Sequence, residues 1–174
     1  MKRSLYDTSP PDLVIDPSIC CEIYFDAGWS PNINLSEAVV LIGDVARYSR
    51  WQGPSSAPRA EMQTALQAAS LAGDIAQLGT YQQFLIYGDN KQALGLLKTH
   101  EAHLVPLATE CYQLAQKIPN GSWRHIISEN NPAGMVIKRI QKLRNQGKEL
   151  PRAVAITHNG REISWKINDI SIVP

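Results

Sequence analysis

The first half of the chain alternates between apolar runs and short polar breaks, a pattern that predicts three consecutive strands. Cys20–Phe25 is mostly apolar or aromatic and stops at Asp26-Ala27-Gly28, which indicates a buried strand that ends in a turn. Ala38–Ile42 and Val45–Trp51 flank Gly43-Asp44, as in a hairpin with a tight turn. Three strands without an intervening helix favour an antiparallel meander.

From Arg59 onward the apolar positions recur at helical spacing, and strands and helices then alternate. The stretch from Arg59 to Gly79 is rich in Ala, Gln and Leu, which favours a long helix that ends at Gly79. Such alternation is typical of parallel additions to a sheet, so we expect a mixed α/β sheet covered by helices. The later elements are expected as a strand at Phe84–Tyr87, a helix at Gln92–Leu97, a helix over Leu104–Ile118, a strand at Trp123–Ile127 and a helix from Pro132 to Gly147.

Two further segments differ in character from this alternating region. Residues 1–19 are polar and contain Pro10, Pro11 and Pro17, which indicates an extended arm. Near the other end, Ala153–Thr157 and Glu162–Ile167 flank an Asn-Gly pair, which suits a hairpin turn with positive φ. Trp165 is expected to pack this hairpin against the sheet or a second subunit. We therefore divide the chain into an N-terminal arm (1–19), a central domain (20–147) and a C-terminal β-hairpin extension (148–174).

The charge of the chain is distributed unevenly. The formal net charge of the 174 residues is +1, which by itself gives no reason to expect nucleic-acid binding. Between Lys138 and Arg152, however, six basic residues stand against one acid, Glu149. Such a stretch forms either a phosphate-facing patch or an ordinary solvated helix face. The candidate nucleic-acid contacts on this helix are Lys138, Arg139 and Lys142.

Cysteine usage and hydropathy indicate a protein of a reducing compartment. Cys20, Cys21 and Cys111 form neither a C-x-x-C pair nor a disulfide framework. No apolar run approaches the ~20 residues that cross a bilayer, and no apolar stretch follows Lys2 and Arg3 as it would in a secretory signal. We therefore expect a cytoplasmic protein without a membrane partner. The sequence indicates no particular oligomeric state.

Three acidic residues lie at the ends of predicted elements, and these ends are expected to meet at one edge of the sheet. Asp26 lies at the end of the first strand, Asp89 ends the strand after the long helix, and Glu61 lies at the start of that helix. Taken singly, each is more often a turn former or a helix-end residue. Together they would repel one another unless a cation lies among them, and an all-oxygen ligand set favours Mg²⁺ or Mn²⁺. Two such ions can activate a water and stabilise the leaving oxygen of a phosphodiester.

Six ordered segments within residues 20–146 carry recognisable motifs: Phe25–Gly28, Pro58–Leu66, Ile86–Asn90, Leu104–Pro106, Trp123–Ile126 and Glu129–Ala133. Together they resemble the motifs of ribonuclease H type 1, in its archaeal and plant-like branch. The resemblance implies a ribonuclease H-like mixed five-stranded sheet flanked by helices, with the hairpin as an addition. It also implies a metal-dependent endonuclease that hydrolyses the RNA strand of RNA–DNA hybrids, with Asp26, Glu61 and Asp89 as catalytic and metal-binding residues.

The chain departs from this family at the start of the last helix. The family has a fourth acid there, which helps to bind a second metal ion, and the matching residue in this chain is Gly134. Glycine offers no ligand atom. Glu129 or Asn130, in the preceding loop, are the possible fourth ligands.

These observations leave three functions open. The first is the endonuclease that the resemblance implies, acting on an RNA–DNA hybrid. The second is a catalytically weak or inactive ribonuclease H-fold module that binds nucleic acid or protein, which the glycine at position 134 favours. The third is another nuclease on the same fold, such as a resolvase or an exonuclease, whose motifs match less well.

Overall fold

Seven strands form one mixed sheet in the part of the chain that the structure describes, which is residues 19–99, 121–158 and 160–171 with Gln113 and Ile118. The structure is a computed structural model. The strands and α-helices are β1 (Cys20–Ser30), β2 (Leu35–Ile42), β3 (Val45–Gln52), α1 (Ala57–Gln77), β4 (Gln83–Gly88), α2 (Lys91–Thr99), β5 (Gly121–His125), α3 (Pro132–Asn145), β6 (Ala153–His158) and β7 (Arg161–Asp169).

The strand order is β5-β4-β1-β2-β3-β7-β6, which confirms the mixed α/β class. β1, β2 and β3 form the antiparallel meander, and β4 and β5 are added in parallel on the side of β1. The predicted C-terminal hairpin forms as β6 and β7 and joins the same sheet, because β7 pairs in parallel with β3. The hairpin therefore continues the sheet beyond its five central strands.

The two faces of the sheet carry separate apolar cores. On one face, α1 packs through Met62 and its buried alanines against Phe25 and Phe84. On the other face, α3 packs through Ile137 against Val39, and Trp165 of the hairpin belongs to this second core. Of the two packing partners expected for Trp165, the structure thus shows the sheet.

Two of the predicted boundaries that differ from the structure bear on the acidic residues, and both differences have a local reason. β1 does not end at Phe25, because Ala27, Gly28 and Trp29 go on pairing with β2. Asp26 therefore lies within the strand. α1 begins at Ala57 and not at Arg59, because the Ser56 hydroxyl accepts a hydrogen bond from the Arg59 amide and Pro58 is tolerated in a first helical turn. Glu61 consequently lies in the second turn of the helix.

Two expectations concern residues outside those that the structure describes. They are the N-terminal arm, apart from its last residue Ile19, and the helix over Leu104–Ile118, of which only Gln113 and Ile118 are described. Across the described ranges, none of the helices has the length and apolar character that a membrane span requires.

Candidate metal centre

The parallel pairing of β1 with β4 brings Asp26 and Asp89 to neighbouring positions. Tyr24 is paired with Tyr87, so the next residues along both strands also run side by side. The two backbones approach closely because Gly88 has no side chain: a Cβ there would lie 2.5 Å from Cζ of Phe25. The acid that follows Phe25 and the acid that follows Gly88 are thereby placed at the same point of the sheet.

Glu61 reaches this point from α1. Its neighbours Ala60 and Met62 are fully buried and fix the helix on the sheet, and Glu61 itself is only 4% exposed. One carboxylate oxygen from each of Asp26, Glu61 and Asp89 lies within 4.8 Å of the other two. The structure therefore brings together the three acids that the sequence singles out.

The three carboxyl groups are close enough for their negative charges to repel one another. Burial, and then the charge of Asp89, raise the pKa of Asp26 to about 7. Burial, and then the charges of Asp26 and Asp89, raise the pKa of Glu61 well above its usual value. Oε1 of Glu61 is also buried, and no other described residue forms a hydrogen bond with it. A divalent cation would satisfy that oxygen and offset the repulsion, so the donor set fits a hard, oxygen-binding metal ion.

The first turn of α3 lies directly against the carboxylates. A Cβ at Gly134 would be 2.9 Å from Oδ2 of Asp26 and 3.9 Å from Oδ2 of Asp89. Position 134 is thus at the site, where the resemblance places a fourth acid. In this chain it contributes backbone only.

Asn131 is a residue of this site that the sequence analysis does not single out. Its Nδ2 donates to the Phe25 carbonyl at 3.0 Å and to Oδ2 of Asp89 at 3.3 Å, and its Oδ1 accepts from the Ala133 amide at 3.1 Å. Asn131 therefore caps α3 and orients Asp89 with the same side chain. The sequence contains a signal for the capping role, because an Asn directly before Pro132 is typical of a helix N-cap.

The structure does not bring the other two candidate ligands into this group. Glu129 and Asn130 lie in the 3-10 turn Ser128–Asn130 and are exposed. The group of metal-ligating side chains found in the described part of the chain consists of Asp26, Glu61 and Asp89.

The basic residues of α3 differ in their surroundings. Lys138, Arg139 and Lys142 are exposed. The positive charge of Lys138 acts on Asp26 and lowers its pKa, against the larger effect of burial. Arg144 instead donates to Glu37 at 2.9 Å and belongs to a partly buried ion pair, in which the Glu37 side chain is 1% exposed.

Comparison with solved structures shows that this fold is the ribonuclease H fold. Ribonuclease H1 from the halophilic archaeon Halobacterium salinarum NRC-1 superimposes with a TM-score of 0.53 at 16% identity, covering 67% of this chain and 92% of that chain. The N-terminal ribonuclease H domain of a Mycobacterium tuberculosis protein gives a TM-score of 0.56 at 18% identity, over 75% and 99%. LC11 ribonuclease H1, solved in complex with an RNA/DNA hybrid, gives 0.51 at 20% identity, over 64% and 88%.

Comparison of the sequence with known families and proteins adds nothing to this structural likeness. No protein-family model matches the chain, and neither does any curated protein. At 16–20% identity the likeness to solved structures shows the fold alone.

Proposed function

We propose that the protein is a metal-dependent endonuclease that hydrolyses the RNA strand of RNA–DNA hybrids, with Mg²⁺ or Mn²⁺ as its cofactor. The observation that carries the proposal is the group of three carboxylates, whose oxygens approach within 4.8 Å on the ribonuclease H fold. The unpartnered oxygen of Glu61 supports it, because a buried carboxylate oxygen needs a cation or a proton donor. Three converging carboxylates have no evident packing role.

The residues of the site have distinct tasks in this proposal. Asp26, Glu61 and Asp89 hold the cation, and Asn131 keeps the Asp89 carboxylate in position through its 3.3 Å hydrogen bond. A divalent ion bound there would supply positive charge to a phosphodiester and make a water molecule more acidic. The partial burial of Asp26 and Asp89 and the nearly complete burial of Glu61 strengthen these electrostatic interactions, since water screens them less.

The nucleic-acid part of the proposal rests on α3 and on one structural neighbour. Lys138, Arg139 and Lys142 are exposed on the helix whose first turn touches the carboxylates, which supports the proposal that they contact backbone phosphates. LC11 ribonuclease H1 binds an RNA/DNA hybrid. We propose the same class of substrate for this chain.

The test is cleavage of a labelled RNA–DNA hybrid in Mg²⁺ and separately in Mn²⁺. Asp26→Asn should reduce cleavage on the order of 100-fold or more, because it removes a charged metal ligand. Asp44→Asn is the matched control, since Asp44 is 73% exposed in the β2–β3 turn and far from the carboxylate group in the fold. Cleavage that is absent in both metals, or that Asp26→Asn leaves intact, contradicts the proposal.

A second function is favoured by Gly134, which contributes no ligand atom at the place of the fourth acid. The protein would then be a weak or inactive member of this fold that binds nucleic acid. Hybrid binding that is tight and salt-dependent but without cleavage in either metal would support this second function.

A further inference from the structure

At the place of the fourth ligand, α3 offers the carboxylates no side chain. Gly134 is buried against Asp26, and its missing side chain would point at Oδ2 of that acid from 2.9 Å. Asn131, one turn earlier, uses both of its side-chain groups in hydrogen bonds to Ala133, Phe25 and Asp89. Neither residue supplies a charge to the carboxylates.

Lys138 is the next residue on the same face of the helix. Residues four apart lie one above the other, about 6 Å apart along the axis. Side chains on a helix lean toward its N-terminus, so a long side chain covers the turn before its own. A lysine side chain at position 138 is therefore long enough to reach the turn of Gly134, a residue that has no side chain of its own.

The other exposed cations of α3 lie differently with respect to Gly134. Arg139 lies about 100° around the helix from Lys138, and Lys142 covers the turn of Lys138 and not that of Gly134. The helix geometry thus singles out Lys138 among the exposed cations of α3.

We propose that the ammonium group of Lys138 takes the place of the second cation, so that this site works with one divalent ion and one lysine. The inference rests on the proposed nuclease function and deepens it. It also changes the role of Lys138, from a phosphate contact outside the site to a catalytic residue that contacts the reacting phosphodiester.

The chemistry of the step is hydrolysis, with water as the co-reactant. The water oxygen forms a bond to phosphorus and gives up one proton to solvent. The bond from phosphorus to the leaving oxygen breaks, its electron pair stays on that oxygen, and the oxygen takes up one proton. The positive charge of Lys138 stabilises the negative charge that develops during this exchange, as a preorganised cation does in other phosphoryl-transfer sites.

The test combines Mn²⁺ binding, measured by calorimetry and electron paramagnetic resonance, with hybrid cleavage. The wild-type chain should bind one Mn²⁺ at the carboxylates. Lys138→Met should tighten Mn²⁺ binding several-fold, because it removes a repelling charge, and should lower kcat on the order of 100-fold with little change in KM. Lys138→Arg keeps the charge and should keep the Mn²⁺ affinity of the wild type.

Two comparison variants make the outcome specific. Lys142→Met should raise KM and leave Mn²⁺ affinity unchanged, and Lys166→Met, which removes a 79% exposed lysine on β7, should change neither quantity. Gly134→Asp requires the Asp26 carboxylate to move, because the new Cβ would lie 2.9 Å from its Oδ2, and it should add a second Mn²⁺ and make kcat less sensitive to Lys138→Met. Two ions in the wild-type site, or Mn²⁺ affinity and kcat in Lys138→Met that match those of Lys166→Met, would overturn the inference.

The two proposals fail in different ways. A wild-type chain that cuts no hybrid contradicts the proposed function. Mn²⁺ affinity still tests the placement of Lys138 in that case, because the binding measurement does not depend on cleavage. Unchanged Mn²⁺ affinity in Lys138→Met would then overturn the lysine inference as well.

Discussion

Asp26 is the residue on which the chemistry of the site depends most directly. It lies partly buried beside Asp89, within reach of Glu61, and under the backbone of Gly134. Burial and the charge of Asp89 raise its pKa from 3.8 to about 7. Between these two values, and without a metal ion, the folded chain therefore keeps a proton at this group that the unfolded chain has lost.

This difference predicts a pH dependence of the metal-free protein. The folded state binds more protons than the unfolded state between the two pKa values of Asp26, 3.8 and about 7, so the free energy of unfolding falls as pH rises through that window. Asp26→Asn should remove part of the fall, on the order of a few kcal/mol at most. Urea unfolding in EDTA at pH 5 and at pH 8 measures it.

A divalent ion should reverse the effect. Because the ion binds the deprotonated carboxylates, added Mn²⁺ should raise the unfolding midpoint more at pH 8 than at pH 5. The same increase in Asp26→Asn as in the wild-type chain would show that the ion binds elsewhere.

At the scale of single residues, the sequence predicted the acids but not the side chain that positions one of them. Asp26, Glu61 and Asp89 follow from motif and element order. Glu129 and Asn130 were reasonable fourth ligands because they carry oxygen atoms close to the helix start, and the structure leaves them exposed. The conformation of the 3-10 turn determines that Asn131, and neither Glu129 nor Asn130, is buried at the site. The spacing of apolar residues does not predict the conformation of such a turn.

Helix α3 is the element that completes the site, and it is fixed to the sheet by a buried charge. Glu37 on β2 is fully buried, accepts a hydrogen bond from the Tyr48 hydroxyl at 2.9 Å, and forms an ion pair with Arg144 at 2.9 Å. This contact lies in the last turn of α3, whereas Gly134 and Asn131 lie at its start. The position of the helix relative to the carboxylates therefore depends on both ends.

Replacement of Arg144 should lower the free energy of unfolding. Arg144→Met leaves the Glu37 carboxylate buried with Tyr48 as its remaining hydrogen-bond donor, so we expect a loss of about 3 kcal/mol in the free energy of unfolding. Arg139→Met, on the exposed side of the same helix, should change it by less than about 0.5 kcal/mol. Urea unfolding of the two variants at neutral pH makes the comparison, and equal losses would contradict a structural role for the pair.

At the scale of elements, most strands and helices could be located from the spacing of apolar residues and from the Gly, Pro and Asn residues between them. The hairpin at Gly43-Asp44, the helix start at Pro132 and the Asn-Gly hairpin all form where they were expected. β1 was predicted too short because Asp26-Ala27-Gly28 has the composition of a turn. Its pairing with β2 overrides that local preference, and such long-range pairing is invisible in a short window of sequence.

For the whole molecule, the hairpin of β6 and β7 contributes buried residues to the second apolar core as well as two strands to the sheet. The proposed division places a ribonuclease H-like domain at residues 20–147 and treats the rest as an extension. In the structure the extension shares the second apolar core, where Trp165 and Val154 are 5% and 3% exposed. We expect the domain without the hairpin to be less stable than the longer chain.

Substitution of the hairpin tryptophan tests this dependence. Trp165→Ala should lower the free energy of unfolding by about 3–5 kcal/mol, because it opens a large cavity beneath α3. Ile163→Ala, two residues earlier on the same strand and 37% exposed, should cost much less. Chemical unfolding followed by circular dichroism compares them. Similar small losses in both variants would indicate that the hairpin adds little to the domain.

The pairing of β7 with β3 also has a consequence for the order in which the chain folds. These strands are neighbours in the sheet, but every element from α1 to β6 lies between them in sequence. Closing so long a loop is slow, whereas β1, β2 and β3 pair through short turns. During synthesis the meander is therefore free to form early, while the core beneath α3 stays open to solvent until β7 leaves the ribosome. Nascent chains that stall before that point would expose this apolar face to chaperones.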